Sequence, residues 1–105
     1  MTEEHAIQNQ IRIALSPYAT VFRANVGKVF TPDGRFFDTG LPKGFSDLFG
    51  FRHSDGRIFF IEVKAPSGRV SIEQKNFIEQ MRRSGAIAGV ARSAEDALKI
   101  LKEER

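Results

Sequence analysis

Glu62 and Lys64 place charge at the end of Ile58-Phe59-Phe60-Ile61-Glu62-Val63-Lys64, a run otherwise made of β-branched and aromatic residues. Such a run reads as a strand buried on both faces. Residues two positions apart leave the same face of a sheet, so the two charges project together. An ionised group in that setting is costly unless it is paired or bound to a metal. Glu-x-Lys alone is also explained by an ion pair at a sheet edge. Asp47 adds a third charge, because it opens a second apolar run, Asp47-Leu48-Phe49-Gly50-Phe51, and Asp55-Gly56 between the runs is a hairpin signal. Antiparallel strands joined there set Asp47 beside Glu62 and Lys64 at one end of the hairpin. Two carboxylates and a lysine suit phosphodiester hydrolysis. Hard divalent cations take oxygen ligands and often use only one or two carboxylates. The Val63 carbonyl offers a further oxygen, and Lys64 can hold the attacking water or neutralise developing charge. As an outright base Lys64 is disfavoured, since adjacent carboxylates stabilise its charged form, though a bound metal offsets them.

The elements that must position these residues follow from periodicity and punctuation. Ile7, Ile11, Ala14 and Leu15 recur at helical spacing over residues 3–15, with Thr2 as N-cap, Glu3 and Glu4 in the first turn and Pro17 as the stop. Residues 20–26 read as a strand. A second hairpin is expected from residues 26–30 and 35–37 around Pro32-Asp33-Gly34. A Gly-, Pro- and Lys-containing loop over residues 39–46 then delivers Asp47, and the central hairpin spans residues 47–64. Ser71 with Gln74 has capping-box spacing for a helix whose apolar face is Phe77, Ile78 and Met81, ending at Gly85. Residues 86–91 form a last strand, and Ser93 caps a last helix facing inward through Ala94, Ala97, Leu98 and Leu101. The expected fold is one α/β domain over residues 1–105, a mixed sheet with a central hairpin flanked by helices.

Composition excludes several classes. The 105 residues include no cysteine, which removes disulfide frameworks and thiolate zinc sites and fits a reducing cytoplasm. The acidic start, Met1-Thr2-Glu3-Glu4-His5, lacks a signal-peptide core, and no apolar run reaches membrane-spanning length. His5 and His53 have no zinc-motif spacing. A net charge of +3 and a pI near 9.6 lean only mildly toward polyanions.

Asp47, fourteen intervening residues and then Glu62-Val63-Lys64 resemble the PD-(D/E)xK nuclease superfamily. Glu4 with Gln8, Arg23-Ala24-Asn25-Val26-Gly27, Gly44-Phe45-Ser46-Asp47, and Gln74 followed by Phe77 narrow the resemblance to the VRR-NUC (virus-type replication-repair nuclease) branch. Ser46 departs from the superfamily pattern, where proline stands. The resemblance implies a PD-(D/E)xK core and an endonuclease dependent on Mg²⁺ or Mn²⁺. It further implies a stand-alone phage or bacterial type, cytoplasmic, and similar to Holliday junction resolvases. Paired cuts in a four-way junction then require two chains, most simply a C₂ homodimer.

On this resemblance Asp47, Glu62, Lys64 and Gln74 are the catalytic candidates, and Asp47, Glu62, Val63 and Glu4 surround the metal. Glu3 competes with Glu4, and either glutamate is explained by the helix dipole alone. Gln74 is explained equally by the capping box. Arg23, Asn25, Lys28, Lys43 and Arg69 are candidates for binding DNA phosphates, with Arg82 and Arg83 behind them; each also suits a solvated surface. Most phenylalanines belong to the core. Phe30, Phe36 and Phe37 also suit a dimer interface or stacking on opened bases. The competing functions are a non-catalytic DNA-binding module and a structural subunit of a phage or repair complex.

Overall fold

A computed structural model describes residues 2–26, 28–38 and 40–103, without the side chains of residues 28–30 and 36–37. Helix α1 (Glu3–Leu15) begins where Thr2 accepts the His5 amide, and it buries Gln8, Ile11 and Leu15. Strand β1 (Ala19–Arg23) follows. It stops short of the expected end at residue 26. The Ala24 amide still donates to the Asp47 carbonyl at 2.8 Å, after which the chain leaves the sheet. It enters the hairpin β2 (Lys28–Phe30) and β3 (Phe36–Asp38), which pair only with each other.

The main sheet has the order β1-β4-β5-β6, with β4 at Leu48–Arg52, β5 at Ile58–Val63 and β6 at Ile87–Ala91. The first two pairings are antiparallel and β5 with β6 is parallel. The β4–β5 connection runs over residues 53–57, where Asp55 Oδ1 accepts the Arg57 amide at 3.1 Å. Helix α2 (Ile72–Arg83) makes the crossover to β6, opened by the capping box of Ser71 and Gln74. Helix α3 (Ala94–Leu101) closes the chain, capped by Ser93. Caps of this kind satisfy amides that a helix start otherwise leaves unpaired.

Alternation along β5 feeds two cores. Phe59, Ile61 and Val63 pack with Leu48, Ile87 and Ala91 under α1 and α3. Phe60 points the other way, into a smaller cluster with Ile78 of α2, Phe45, Phe49 and Phe77. Helix α2 meets β5 and β6, and the same sheet face beyond it leaves Phe22, Phe51 and Ile58 at 47%, 42% and 46% exposure.

Gly50 permits the tight β1–β4 approach, since a Cβ there would lie 1.8 Å from the Thr20 carbonyl oxygen. Backbone cannot yield as a flexible side chain can. Gly50→Ala should therefore cost about 2 kcal/mol or more in urea unfolding, within the range of overpacked sites. A loss below about 0.5 kcal/mol, the size of an ordinary surface substitution, would show that β1 moves aside freely.

Candidate active site at the end of the central hairpin

The β4–β5 register pairs Leu48 with Ile61, so one step further sets Asp47 opposite Glu62. Asp47 Oδ2 accepts the Val63 amide at 2.9 Å, which fixes the carboxylate against the strand end. A residue's N–H and C=O point to the same side of a strand, so the Val63 carbonyl also faces Asp47. The next amide, that of Lys64, turns to the other neighbour and donates to Ala91 at 3.1 Å. Alternation puts Glu62 and Lys64 on the face of Phe60, as the sequence spacing implies.

Glu62 is 2% exposed, and its Oε1 has no hydrogen-bond partner among the described residues. Its pKa is pushed up to about 9. Burial is the largest cause, followed by Asp47 as hydrogen-bonding neighbour and as like charge; Lys64 opposes the shift and Glu4 adds to it. An acid buried beside a second acid holds its proton until something positive replaces it. Among the described residues no group of three or more His, Cys, Asp or Glu side chains is gathered closely enough to hold a metal ion. Asp47 and Glu62 thus stand as a pair, with Glu4 acting on Glu62 through space. An oxygen-only pair with an orphaned buried oxygen fits a hard cation that keeps most of its waters.

Glu4, His5 and Gln8 of α1 line a cleft of about 300 Å³ together with Arg23, Ala24 and Asn25 from the end of β1. That cleft adjoins the site, since Ala24 is bonded to Asp47. Gln74 is committed through Oε1 to the Ser71 amide at 2.9 Å, which leaves its NH₂ group for other partners. Lys43 is exposed and paired with Glu73 at 3.4 Å, and Arg69 is exposed. The Lys28 side chain lies outside the described residues, as do those of Phe30, Phe36 and Phe37. Arg82 and Arg83 pair with Glu103 and Glu79 near the end of α2, where Arg57 reaches the Gly85 carbonyl. Arg57 precedes β5, so this end is roughly 15 Å from Glu62 by strand rise. His53 is exposed and meets Thr20 at 3.0 Å.

Two residues of the site gave no sequence signal of their role. Ser46, the departure from the superfamily pattern, is fully buried with an unpartnered Oγ among the described residues. Arg92 reaches three carbonyls of the turn after Lys64. A larger open hollow of about 850 Å³ lies at the opposite sheet end beside Tyr18, Arg52 and Asp55. Arg52 there is engaged by Asp55 and by the Leu101 and Glu103 carbonyls.

The buried acid has a consequence for stability without divalent cations. Between the ordinary value of 4.5 and the folded value of about 9, the folded chain keeps a proton that the unfolded chain has lost. Stability from this group is therefore full below pH 4.5 and declines as pH rises toward 9, by on the order of 1 kcal/mol per pH unit. Glu62→Gln removes that loss. In chelator it should melt higher than wild type at pH 8, with the gap closing near pH 4; a gap independent of pH would show that Glu62 titrates normally.

The sequence matches the family model of the VRR-NUC domain over residues 34–95. Among curated proteins none matches. A solved structure described as a VRR_NUC domain superposes with a TM-score of 0.70 at 21% identity, covering 100% of both chains. That likeness extends the shared fold to α1 and β1, which precede the matched segment. Because the family match spans more than half of the 105 residues, the chain belongs to the VRR-NUC family and is a nuclease domain that acts on DNA.

Proposed function

We propose that the protein is a divalent-metal-dependent, structure-selective DNA endonuclease, working as a homodimer on four-way or similarly branched DNA. The observation that carries the nuclease chemistry is the Asp47–Glu62 pair, with Glu62 buried, its Oε1 left without a partner among the described residues, and Lys64 beside it. Asp47 and Glu62 would hold Mg²⁺ or Mn²⁺, with the Val63 carbonyl as a further oxygen. When bound, the ion lowers the pKa of the attacking water and stabilises charge on phosphate oxygens. Asp47 is oriented for this by the Val63 amide. Lys64 holds the attacking water or the charge growing on the phosphate, and Arg23 and Asn25 bind the flanking backbone from the adjoining cleft. Glu4 and the free NH₂ of Gln74 orient water at the rim. Lys28, Lys43 and Arg69 supply further phosphate contacts, and the work belongs in the bacterial cytoplasm, whether the chain is bacterial or phage-encoded.

Asp47→Ala, Glu62→Ala and Lys64→Ala should each lower plasmid cleavage by about a hundredfold or more, the scale for losing a positioned catalytic group. DNA binding in chelator should persist, since phosphate contacts come from other residues. Mg²⁺ or Mn²⁺ should raise the wild-type melting temperature and do little for Asp47→Ala. Wild-type cleavage rates in Lys64→Ala, or equal metal-induced shifts in both proteins, would contradict the assignment. A wild type that binds DNA but never cuts it would leave a binding module.

The dimer reading is supported by Phe22, Phe51 and Ile58, exposed on the face that α2 leaves uncovered. Phe51 and Ile58 are register partners, so they form one continuous apolar surface. Two sites related by a two-fold axis select a junction by shape, because only branched DNA presents two strands at the required separation. Phe51→Asp with Ile58→Asp should give a monomer at micromolar concentration that nicks plasmid but makes no paired cuts in a junction. A wild-type monomer that cuts linear duplex as readily as a junction removes the resolvase reading and leaves the nuclease reading intact.

A further inference from the structure

Arg92 follows β6, and its Nη1 donates back to the carbonyls of Ala65 at 2.7 Å, Gly68 at 2.8 Å and Pro66 at 3.3 Å. All three belong to the turn that leaves Lys64. The turn is closed by the Gly68 amide donating to Ala65 at 2.9 Å. It lies along the lysine stem, because a Cβ on Gly68 would sit 3.5 Å from Lys64 Cδ. The preceding residue of β6, Ala91, accepts the Lys64 amide. Two adjacent residues at the end of β6 therefore bracket Lys64, one from its backbone and one from the turn beyond it.

Arg92 is itself anchored. Its amide donates to Asp96 Oδ2 at 2.9 Å, and the Asp96 amide donates to Ser93 Oγ at 3.1 Å in the first turn of α3. Three carbonyl oxygens converging on one point repel each other unless a cation stands among them, and charge-assisted bonds are about twice as strong as neutral ones. All three bonds come from Nη1 alone, so one charged nitrogen at the end of a long stem holds the whole set. We propose that Arg92 is a positioning residue, which pins the 65–68 turn against the Lys64 stem and so fixes where the ammonium meets the Asp47–Glu62 pair. Lys64 has a flexible four-carbon stem, and holding it in place ahead of the reaction removes the entropy of finding that position.

The role rests on the nuclease reading only in giving Lys64 its task; the pinning itself is tested without activity. Hydrogen exchange of Arg92→Ala should rise about tenfold or more at residues 65–69, the scale of losing a charge-assisted hydrogen bond, with residues 58–63 unchanged. Single-turnover cleavage at saturating DNA should fall about thirtyfold or more while the DNA dissociation constant in chelator stays within about threefold, as for a misplaced group. Millimolar guanidinium should restore part of the rate, and Arg92→Lys, which keeps one charged nitrogen, should stay closer to wild type than Arg92→Gln. Leu98→Ala, which packs on the larger core from α3, brought to the same margin below its melting temperature, should cleave normally. Unchanged exchange at residues 65–69 overturns the proposal, and so does an equal rate loss in Leu98→Ala. If Arg92→Ala does not fold, Arg92→Gln, which loses the charge but keeps most of the stem, decides by the same measurements. A wild type without cleavage removes the nuclease reading, and the exchange experiment still judges the pin.

Discussion

A carboxyl group buried at the end of an interior strand is the constraint to which the other parts of this fold answer. Glu62 is in β5, which has a neighbour on each side, so it cannot turn to solvent at a free edge. Asp47 beside it is held by the Val63 amide, which puts a second acid where electrostatics alone would not. Burying unpaired acid is unfavourable by several kcal/mol in real proteins. The stabilisation that offsets it comes from the dry cluster on the other face, where Phe59, Ile61 and Val63 alternate with Phe60 and Glu62. Strand β5 thus gives one set of side chains wholly to the larger core, while the other is divided between the smaller core at Phe60 and the buried acid at Glu62.

The two faces are correspondingly unequal. Helices α1 and α3 cover one, while α2 and the Phe45 loop cover part of the second. Gly44 makes that partial cover tight, since a Cβ there would come within 2.5 Å of the Glu73 carbonyl. The chain is thereby drawn onto the start of α2 just before it delivers Ser46 and Asp47. The part left uncovered carries Phe22, Phe51 and Ile58, while Glu62 itself stays 2% exposed.

The helices were legible because their signals are local: the Thr2 cap, the Ser71–Gln74 box and the Ser93 cap all form as their spacing implies. The hairpin around Asp55-Gly56 was legible for the same reason, and with it the meeting of Asp47 and Glu62. The end of β1 was not, because Val26 carries the apolar pattern on, and the strand ends where backbone pairing stops after Ala24. Gly50 and Arg92 were illegible on other grounds. Their importance lies in contacts with Thr20 and with residues 65–68, and no local pattern in one sequence encodes those pairings. Arg82 and Arg83, further phosphate-contact candidates in the sequence, are carried by helix length to the sheet end away from Glu62.

The mixed direction of the sheet also orders the assembly of the site in time. Asp47 and Glu62 meet through an antiparallel hairpin with a five-residue connection, a local event of the microsecond class. Lys64 finds its backbone partner only when β6 pairs in parallel, after the chain has passed through α2. Such non-local pairing is slow because loop closure must precede its reward. A growing or partly folded chain therefore gathers its acids before it seats its lysine. Under the role proposed for Lys64, cutting competence is the last property the fold acquires, and incompletely folded chains cut poorly.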